Sequence, residues 1–346
     1  MLKACARVGI DVTKRCNVKC RTCFYFHKAD FNSDWHESLG VVMAKVEAAK
    51  KRGCDHAVLV GYGEPTLWPS LMDWISECKK IDISTSIITN GTSPVGVYDE
   101  AYVKGLNHLH VSVHGVGKVL DDIFGVKEGW GSSRQQDLMQ WLSNTGFPWR
   151  SNTTLQQLNH AQLPTITRHL LDHGCRHIVY LGFLPHYEWG DPNKLRTVAV
   201  HPAEMNKTLE TCIDMIETNN ADVGNTTMLT VRYQPMCLFQ EKYRKYVTNA
   251  LYVPVDSGEW VYGEAYPNSG WDTVWNECQS IGNAVSIKTA PCAKCGLKMH
   301  CGGWNATMAK GFDGAGLVQQ PMDDHSAEIG YYFMQNPFNQ KFKGWF

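Results

Sequence analysis

The sequence predicts an α/β protein built on an open, partial (β/α)6 barrel, followed by a smaller C-terminal domain. Between residue 5 and about residue 185, short apolar runs alternate with amphipathic stretches, which is the pattern of repeated β-α units on a parallel sheet. Beyond about residue 220 this alternation ends and cysteines become frequent. We therefore expect one domain at residues 1–220 and a second at residues 221–346.

The apolar runs predict six strands, at residues 7–13, 56–61, 83–89, 107–113, 148–154 and 177–184. The stretches between them predict helices at residues 38–52, 67–80, 95–104, 133–145 and 160–173. Right-handed crossovers curl such a sheet and gather its strand-to-helix loops at the carboxyl ends of the strands. Segment 115–132 contains several glycines and is expected to be a mobile or substrate-facing loop. A helix at 203–219 and a strand at 227–234 complete the prediction.

The composition excludes several classes of protein. Basic residues number 33 and acidic residues 34, so no net charge favours nucleic acid as a partner. No run of about 18 apolar residues predicts a membrane span, and the N-terminal residues become polar too early for a signal peptide. Thirteen cysteines in a chain without these features indicate metal binding or catalysis in a reducing compartment, and we expect a cytoplasmic protein.

Three cysteines, Cys16, Cys20 and Cys23, follow the first predicted strand with the spacing C-x3-C-x2-C. Three thiolates can hold one 4Fe-4S cluster and leave one of its irons without a protein ligand. Structural zinc sites usually combine two close cysteine pairs, and buried cysteines that only pack usually occur singly. The spacing therefore favours an iron-sulfur cluster with an open iron.

This cysteine spacing resembles that of the radical S-adenosylmethionine (radical SAM) superfamily. The resemblance implies that S-adenosylmethionine binds the open iron through the amino and carboxylate groups of its methionine part. The superfamily usually has an aromatic residue directly before the third cysteine, whereas Thr22 occupies that position here. Phe24 and Tyr25 follow the cysteine instead.

A glycine-flanked turn, Gly61-Tyr62-Gly63-Glu64-Pro65, follows the second predicted strand. Glycines at such a turn let the backbone approach a ligand closely. The turn resembles the G-G-E-P turn of radical SAM enzymes, and the resemblance implies that Gly61, Gly63, Glu64 and Pro65 hold the amino group of the methionine part. Tyr62 replaces the second glycine of that motif.

Short polar residues stand at the ends of the next strands and can hydrogen-bond a ribose or a carboxylate. The superfamily commonly uses a serine and an asparagine at matching strand ends, which implies Ser112 and Asn152 as cofactor-binding residues, with Asn90 as a further candidate. The alternative is that these residues only cap the following helices. His114 could face a substrate, although a lone histidine is more often structural.

A second cysteine group, Cys292, Cys295 and Cys301, has the spacing C-x2-C-x5-C. It resembles part of the pattern in the SPASM and twitch extensions of radical SAM enzymes, which hold auxiliary 4Fe-4S clusters. Two such clusters would need about eight thiolates, which is more than this region of the chain contains. We therefore expect one auxiliary cluster, with Cys237 as its fourth ligand and Cys278 as a spare, catalytic thiol. The alternative is a zinc site built from Cys292, Cys295, Cys301 and either another cysteine or His300.

The resemblance implies an enzyme that cleaves S-adenosylmethionine reductively and uses the 5′-deoxyadenosyl radical to abstract hydrogen from a peptide or amino-acid substrate. Oxidation, cross-linking and epimerisation are the expected outcomes. A small sugar, nucleoside or other metabolite is the alternative substrate, and a non-catalytic iron-sulfur or zinc protein is the alternative of another class. Expected partners are the substrate and a reductant such as a flavodoxin or a ferredoxin.

Overall fold

The computed structural model describes residues 7–23, 25, 29–51, 53–185, 191–224, 226–248, 259–260, 286–296 and 303–312. The predicted β-α alternation is confirmed in them. The first half of the alternation consists of β1 (Arg7–Ile10), α1 (Leu39–Lys51), β2 (His56–Leu59), α2 (Leu71–Lys80), β3 (Ser84–Thr89), α3 (Val95–Lys104) and β4 (His108–Ser112). A short 3-10 helix at Pro65–Leu67 precedes α2.

The second half begins with two successive helices, α4 (Lys118–Phe124) and α5 (Trp130–Thr145). It continues with β5 (Trp149–Thr154), α6 (Leu163–Asp172), β6 (His177–Leu181), α7 (Pro192–Arg196), α8 (Pro202–Val223) and β7 (Met228–Arg232). Shorter elements follow: the 3-10 helices Met236–Leu238, Glu241–Tyr246 and Ala290–Lys294, the two-residue strands β8 (Val247–Thr248), β9 (Glu259–Trp260), β10 (Ser286–Ile287) and β11 (Trp304–Asn305), and helix α9 (Ala306–Gly311).

The strands from β1 to β9 form one open, parallel sheet in the order β8-β7-β6-β5-β4-β3-β2-β1-β9. The sheet is not closed, which confirms the predicted partial barrel. β7 begins at Met228 and pairs in parallel with β6, so the sheet extends beyond residue 220, where we expected the second domain to begin. The division of the chain into two domains stays a prediction.

The two faces of the sheet differ in chemistry. Alternate residues such as Leu109, Val111 and Ile178 belong to the main hydrophobic core, which the helices cover. Because side chains alternate along a strand, the residues between them face the inside of the open barrel. That inner face is polar and includes the buried His110 and Arg150, which are paired in register. The carboxyl ends of the strands therefore border a polar interior.

Segment 115–132, expected to be a loop, is largely helical, so the expected loop was wrong, and its mobility or contact with a substrate stays a prediction. α4 occupies Lys118–Phe124 and α5 begins at Trp130. The buried Asp121 accepts hydrogen bonds from the backbone N–H groups of Gly129, Gly131 and Ser132 and from the Ser132 hydroxyl, all at 2.7–2.8 Å. This carboxylate joins α4 to the first turn of α5.

Within the described ranges, no helix combines the length and the apolar character that crossing a membrane requires. Among the cysteines outside the two clustered groups, Cys78, Cys175 and Cys212 are free and buried. Cys54 is disulfide-bonded.

Candidate active site

The loop that carries the first cysteine group leaves the carboxyl end of β1. The thiols of Cys16, Cys20 and Cys23 are partly buried. Burial, and after it the charges of Glu64 and Cys23, raise the pKa of Cys16 to about 12. Burial, and then Cys16 and Cys23, raise the pKa of Cys20 well above its ordinary value. Charges on the other cysteines of the loop thus contribute to the raised pKa of both Cys16 and Cys20.

The donor chemistry of this loop fits a 4Fe-4S cluster. In the described part of the chain, no three His, Cys, Asp or Glu side chains are grouped closely enough to hold a single metal ion. A cubane cluster makes a different demand, because each cysteine binds a different iron. Partly buried, mutually interacting thiols meet that demand, and the positive charge of iron favours the thiolate form that burial alone disfavours.

Asn32 shapes the start of the cysteine loop. Its backbone has a φ angle of 59°, which asparagine tolerates better than most residues. Its side-chain Oδ1 accepts a hydrogen bond from the backbone N–H of Cys16 at 3.0 Å. Its own N–H donates to the carbonyl of Lys14 at 2.9 Å. Asn32 therefore holds the loop at its first cysteine and two residues before it.

Helix α4 supports the middle of the same loop. The backbone N–H of Lys19 donates to the carbonyl oxygen of Phe124, the last residue of α4, at 2.7 Å. Val18 packs with Leu120, Ile123 and Phe124, and Cys16 and Cys20 lie against this small apolar cluster. Segment 115–132 thus contributes to the site by packing against the cysteine loop.

The predicted turn at Gly61–Pro65 touches the cysteine loop. A Cβ atom on Gly63 would lie 2.1 Å from the carbonyl oxygen of Arg15, so only glycine allows this approach. The next N–H, that of Glu64, donates to the same oxygen at 2.8 Å. Gly61 has a φ angle of 88°, and Pro65 begins the 3-10 helix that follows. The turn and the cysteine loop are consequently one structural unit.

Glu64 is 2% exposed, and both of its carboxylate oxygens accept hydrogen bonds from within the protein. Its Oε1 accepts from the backbone N–H of Thr66 at 3.2 Å and from the hydroxyls of Thr66 and Thr89 at 2.7 Å each. Its Oε2 accepts from the N–H of Asn90 at 2.8 Å. Burial raises the pKa of Glu64 above its ordinary value, although these hydrogen bonds act in the opposite direction. The carboxyl group ties the turn after β2 to the end of β3.

Asn90 connects the end of β3 to the cysteine loop. Its Nδ2 donates to Oδ1 of Asn17 at 2.8 Å, and its Oδ1 accepts from the hydroxyl of Thr92 at 2.7 Å. Asn17 in turn donates to that hydroxyl at 2.9 Å. Asn17 directly follows Cys16, and sequence reasoning missed it because its partners lie more than 70 residues away.

Ser112 and Asn152 lie side by side, because they are partners in the register of β4 and β5. Ser112 is partly exposed and Asn152 is 8% exposed. Two residues beyond Ser112, Nδ1 of His114 accepts the backbone N–H of Thr154 at 3.1 Å. Burial lowers the pKa of His114 to about 4, so this imidazole is neutral near pH 7. These residues border the same edge of the sheet as the cysteine loop.

The second cysteine group is described only in part. Cys237 lies in the 3-10 helix Met236–Leu238 and is partly buried. Cys292 and Cys295 are joined by a hydrogen bond from the N–H of Cys295 to the carbonyl of Cys292, at 3.2 Å. Cys278 and Cys301 lie outside the described residues. The auxiliary cluster and the role of Cys278 stay predictions.

The family model of the radical SAM superfamily matches residues 10–170. A tungsten-containing aldehyde ferredoxin oxidoreductase cofactor-modifying protein of Pyrococcus furiosus is 26% identical over 186 residues, which cover 51% of this chain and 51% of that protein. A PqqA peptide cyclase of Methylorubrum populi is 28% identical over 165 residues, which cover 46% of this chain and 41% of that protein. The chain thus spans about half the length of the curated relatives it matches.

Two solved structures share the fold. SuiB of Streptococcus suis bound to S-adenosylmethionine superposes with a TM-score of 0.62 at 16% identity, over 88% of this chain and 74% of that one. Native anSMEcpe with bound AdoMet superposes with a TM-score of 0.61 at 14% identity, over 98% and 96% of the two chains. The family model confirms the resemblance of residues 10–170 to the radical SAM superfamily, and the resemblance of the C-terminal cysteines to SPASM and twitch extensions stays a prediction.

Proposed function

Residues 10–170 of this chain belong to the radical SAM superfamily, and from that premise we propose that the chain cleaves S-adenosylmethionine reductively to abstract hydrogen from a peptide or amino-acid substrate. The observation that carries the proposal is the contact between the cysteine loop and the Gly61–Pro65 turn. Both Gly63 and Glu64 meet the carbonyl of Arg15, one residue before the first cysteine. A protein that used its cysteines only for structure would not need this glycine turn.

The residues of the chain have separate tasks in this proposal. Cys16, Cys20 and Cys23 hold the 4Fe-4S cluster, which together with bound S-adenosylmethionine supplies the one-electron chemistry that produces the 5′-deoxyadenosyl radical. The Gly61–Pro65 turn binds the methionine part, and Ser112 and Asn152 hydrogen-bond the rest of the cofactor. The packing of α4 against the cysteine loop excludes water from one side of the cluster.

Relatives support two classes of substrate. The PqqA peptide cyclases, 28% identical to this chain, act on a peptide according to their name, and they favour the peptide or amino-acid reading. The Pyrococcus furiosus relative, 26% identical, is named for the modification of a cofactor, and it keeps a small metabolite as the second candidate. In either case the reductant is a small electron-transfer protein such as a flavodoxin or a ferredoxin.

The C-terminal cysteines extend the proposal. One auxiliary 4Fe-4S cluster, held by Cys237, Cys292, Cys295 and Cys301, would accept the second electron in an oxidation or a cross-linking reaction. Cys278 would instead donate a hydrogen atom in an epimerisation. The partly buried Cys237 and the short, hydrogen-bonded spacing of Cys292 and Cys295 support this ligand set.

The proposal is tested by a cleavage assay. Anaerobically reconstituted protein, reduced with dithionite, should form 5′-deoxyadenosine from S-adenosylmethionine, and the correct substrate should increase the rate. The triple variant Cys16→Ala, Cys20→Ala, Cys23→Ala is the matched control and should form none. Equal formation by the two proteins, or none by either, would leave a metal-binding or electron-transfer protein as the better interpretation.

A further inference from the structure

Two residues of the chain depart from the superfamily motifs, and the structure shows that the departures lie close together. Thr22 stands where the superfamily has an aromatic residue, and Tyr62 stands where it has a glycine. The ring of Tyr62 packs on the ring of Tyr25, two residues after the third cysteine, with the centroids 4.1 Å apart and the planes 32° from parallel. An aromatic ring is therefore absent at residue 22, and two rings are present beside Cys23.

Both tyrosines are held in place. The backbone N–H of Tyr25 donates to the sulfur of Cys23 at 3.4 Å, which positions this residue against the cluster loop. The hydroxyl of Tyr62 donates to Oδ1 of Asp30 at 2.5 Å. Asp30 also forms an ion pair with Lys14, whose Nζ lies 5.1 Å from the centre of the Tyr62 ring. The pair is thus attached to the cysteine loop at one end and to an exposed ion pair at the other.

The pair also lies where a ligand can reach it. Each tyrosine side chain is only partly buried, unlike an aromatic pair of the hydrophobic core. Tyr62 belongs to the turn proposed to bind the methionine part, and Tyr25 belongs to the loop proposed to bind the cluster. A molecule held by both would have the two rings as one of its walls.

We propose that Tyr25 and Tyr62 form an aromatic wall of the S-adenosylmethionine site and contact its purine base. The inference rests on the proposed function and assigns to these two residues a contact that Thr22 does not make. Tyrosine suits it because a flat, rigid ring stacks on a base with little loss of side-chain entropy. The competing explanation is that the pair only fastens the turn to the cysteine loop.

Equilibrium dialysis of the reconstituted protein separates the two explanations. S-adenosylmethionine contains the base, whereas methionine contains only the part that binds the turn and the cluster. Tyr25→Leu and Tyr62→Gly, the latter restoring the superfamily residue, should each weaken the binding of S-adenosylmethionine about tenfold, because each removes a ring that would stack on the base. The binding of methionine should stay unchanged.

Two further variants sharpen the comparison. Tyr62→Phe keeps the ring and loses only the hydroxyl, so its effect on S-adenosylmethionine should stay below about threefold. Tyr102→Leu removes a tyrosine that is 50% exposed on α3 and should have no effect. Iron content and thermal midpoint are measured for every variant to verify that the cluster loop is intact.

Equal losses of S-adenosylmethionine and methionine binding in Tyr25→Leu and Tyr62→Gly would show that the pair shapes the loop, and the inference would be wrong. Full retention of S-adenosylmethionine binding in both variants would also overturn it while leaving the proposed function intact. Failure of the unchanged protein to bind S-adenosylmethionine would overturn the proposed function and this inference with it.

Discussion

At the scale of single residues, Glu64 is a side chain that was expected to bind a ligand and that forms hydrogen bonds within the protein. Its two oxygens accept four hydrogen bonds from the turn and from the end of β3. With 2% of its surface exposed, the carboxyl group orients the turn, and the backbone of the turn is left to meet a ligand. In the proposed function, Glu64 would therefore act on cofactor binding through the position of the turn.

This assignment predicts the effect of Glu64→Gln. The amide replaces one acceptor oxygen with an NH2 donor, so at least one buried donor among its four partners loses its acceptor. We expect the free energy of unfolding to fall by about 1–3 kcal/mol, measured by urea denaturation, together with weaker binding of S-adenosylmethionine at unchanged iron content. Glu77→Gln, on the exposed surface of α2, is the control and should change neither. An unchanged free energy of unfolding in Glu64→Gln would contradict the role of Glu64 in holding the turn after β2 to the end of β3.

The sequence identified this residue but not its neighbours. The glycines and the glutamate of the turn are consecutive, so a local motif reveals them. Asn17 and Asn32 also hold the cysteine loop in place. The partner of Asn17 is distant in sequence, and the contact of Asn32 with Cys16 belongs to no sequence motif. Hydrogen bonds between residues that only the folded sheet brings together leave no local sequence motif from which they could be predicted.

At the scale of elements, the junction of α4 and α5 rests on one carboxylate. Burial would raise the pKa of Asp121, but its hydrogen bonds from Ser132, Gly129 and Gly131 outweigh burial, and its pKa lies below the ordinary value. The folded state therefore favours the charged form. Because α4 packs against the cysteine loop, this junction also bears on the site.

We expect Asp121→Asn to lower the thermal midpoint near pH 7, since the amide presents a donor to groups that are themselves donors. For a carboxyl group with a depressed pKa, the stabilisation is complete above the unfolded pKa, here about 3.8, and is lost as the pH falls through the folded pKa. The difference in midpoint between the two proteins should therefore narrow below about pH 3.8. The matched control is the adjacent Asp122→Asn, which removes only an exposed ion pair with Lys118. A difference in thermal midpoint that stays constant down to pH 3 would show that the ionisation of Asp121 does not stabilise the folded state.

The strands and most helices could be predicted to within a few residues because their apolar periodicity is strong. α3, for example, occupies Val95–Lys104, the range expected from the sequence. α4 was missed because it has seven residues between glycines, and a helix this short shows too few turns to reveal a period. Its stability comes from Asp121 and from packing on Val18, neither of which a local pattern contains.

At the scale of the whole molecule, the iron count tests the two cysteine groups together. Reconstituted protein should contain about eight irons per chain, from two 4Fe-4S clusters, and the triple variant of Cys16, Cys20 and Cys23 should contain about four. Metal analysis by mass spectrometry measures both. About twelve irons in the intact protein, or zinc in the triple variant, would overturn the count.

Single variants separate the two candidate cysteines within the same measurement. Cys237→Ala should lose the auxiliary cluster and keep about four irons, whereas Cys278→Ala should keep about eight. If Cys278 donates hydrogen, its variant should still form 5′-deoxyadenosine but fail to form product. Loss of iron from Cys278→Ala with none from Cys237→Ala would exchange the two roles.

The contacts that shape the cysteine loop also set the order of events during protein synthesis. Asn17 and Asn90 are 73 residues apart in sequence, and Phe124 lies still farther along. A ribosome releases the N-terminal side first, so the thiols of Cys16, Cys20 and Cys23 emerge well before the groups that orient them. The three thiols can therefore take their folded positions only after residues up to Phe124 have been synthesised, and insertion of the proposed cluster into the oriented loop would follow that stage.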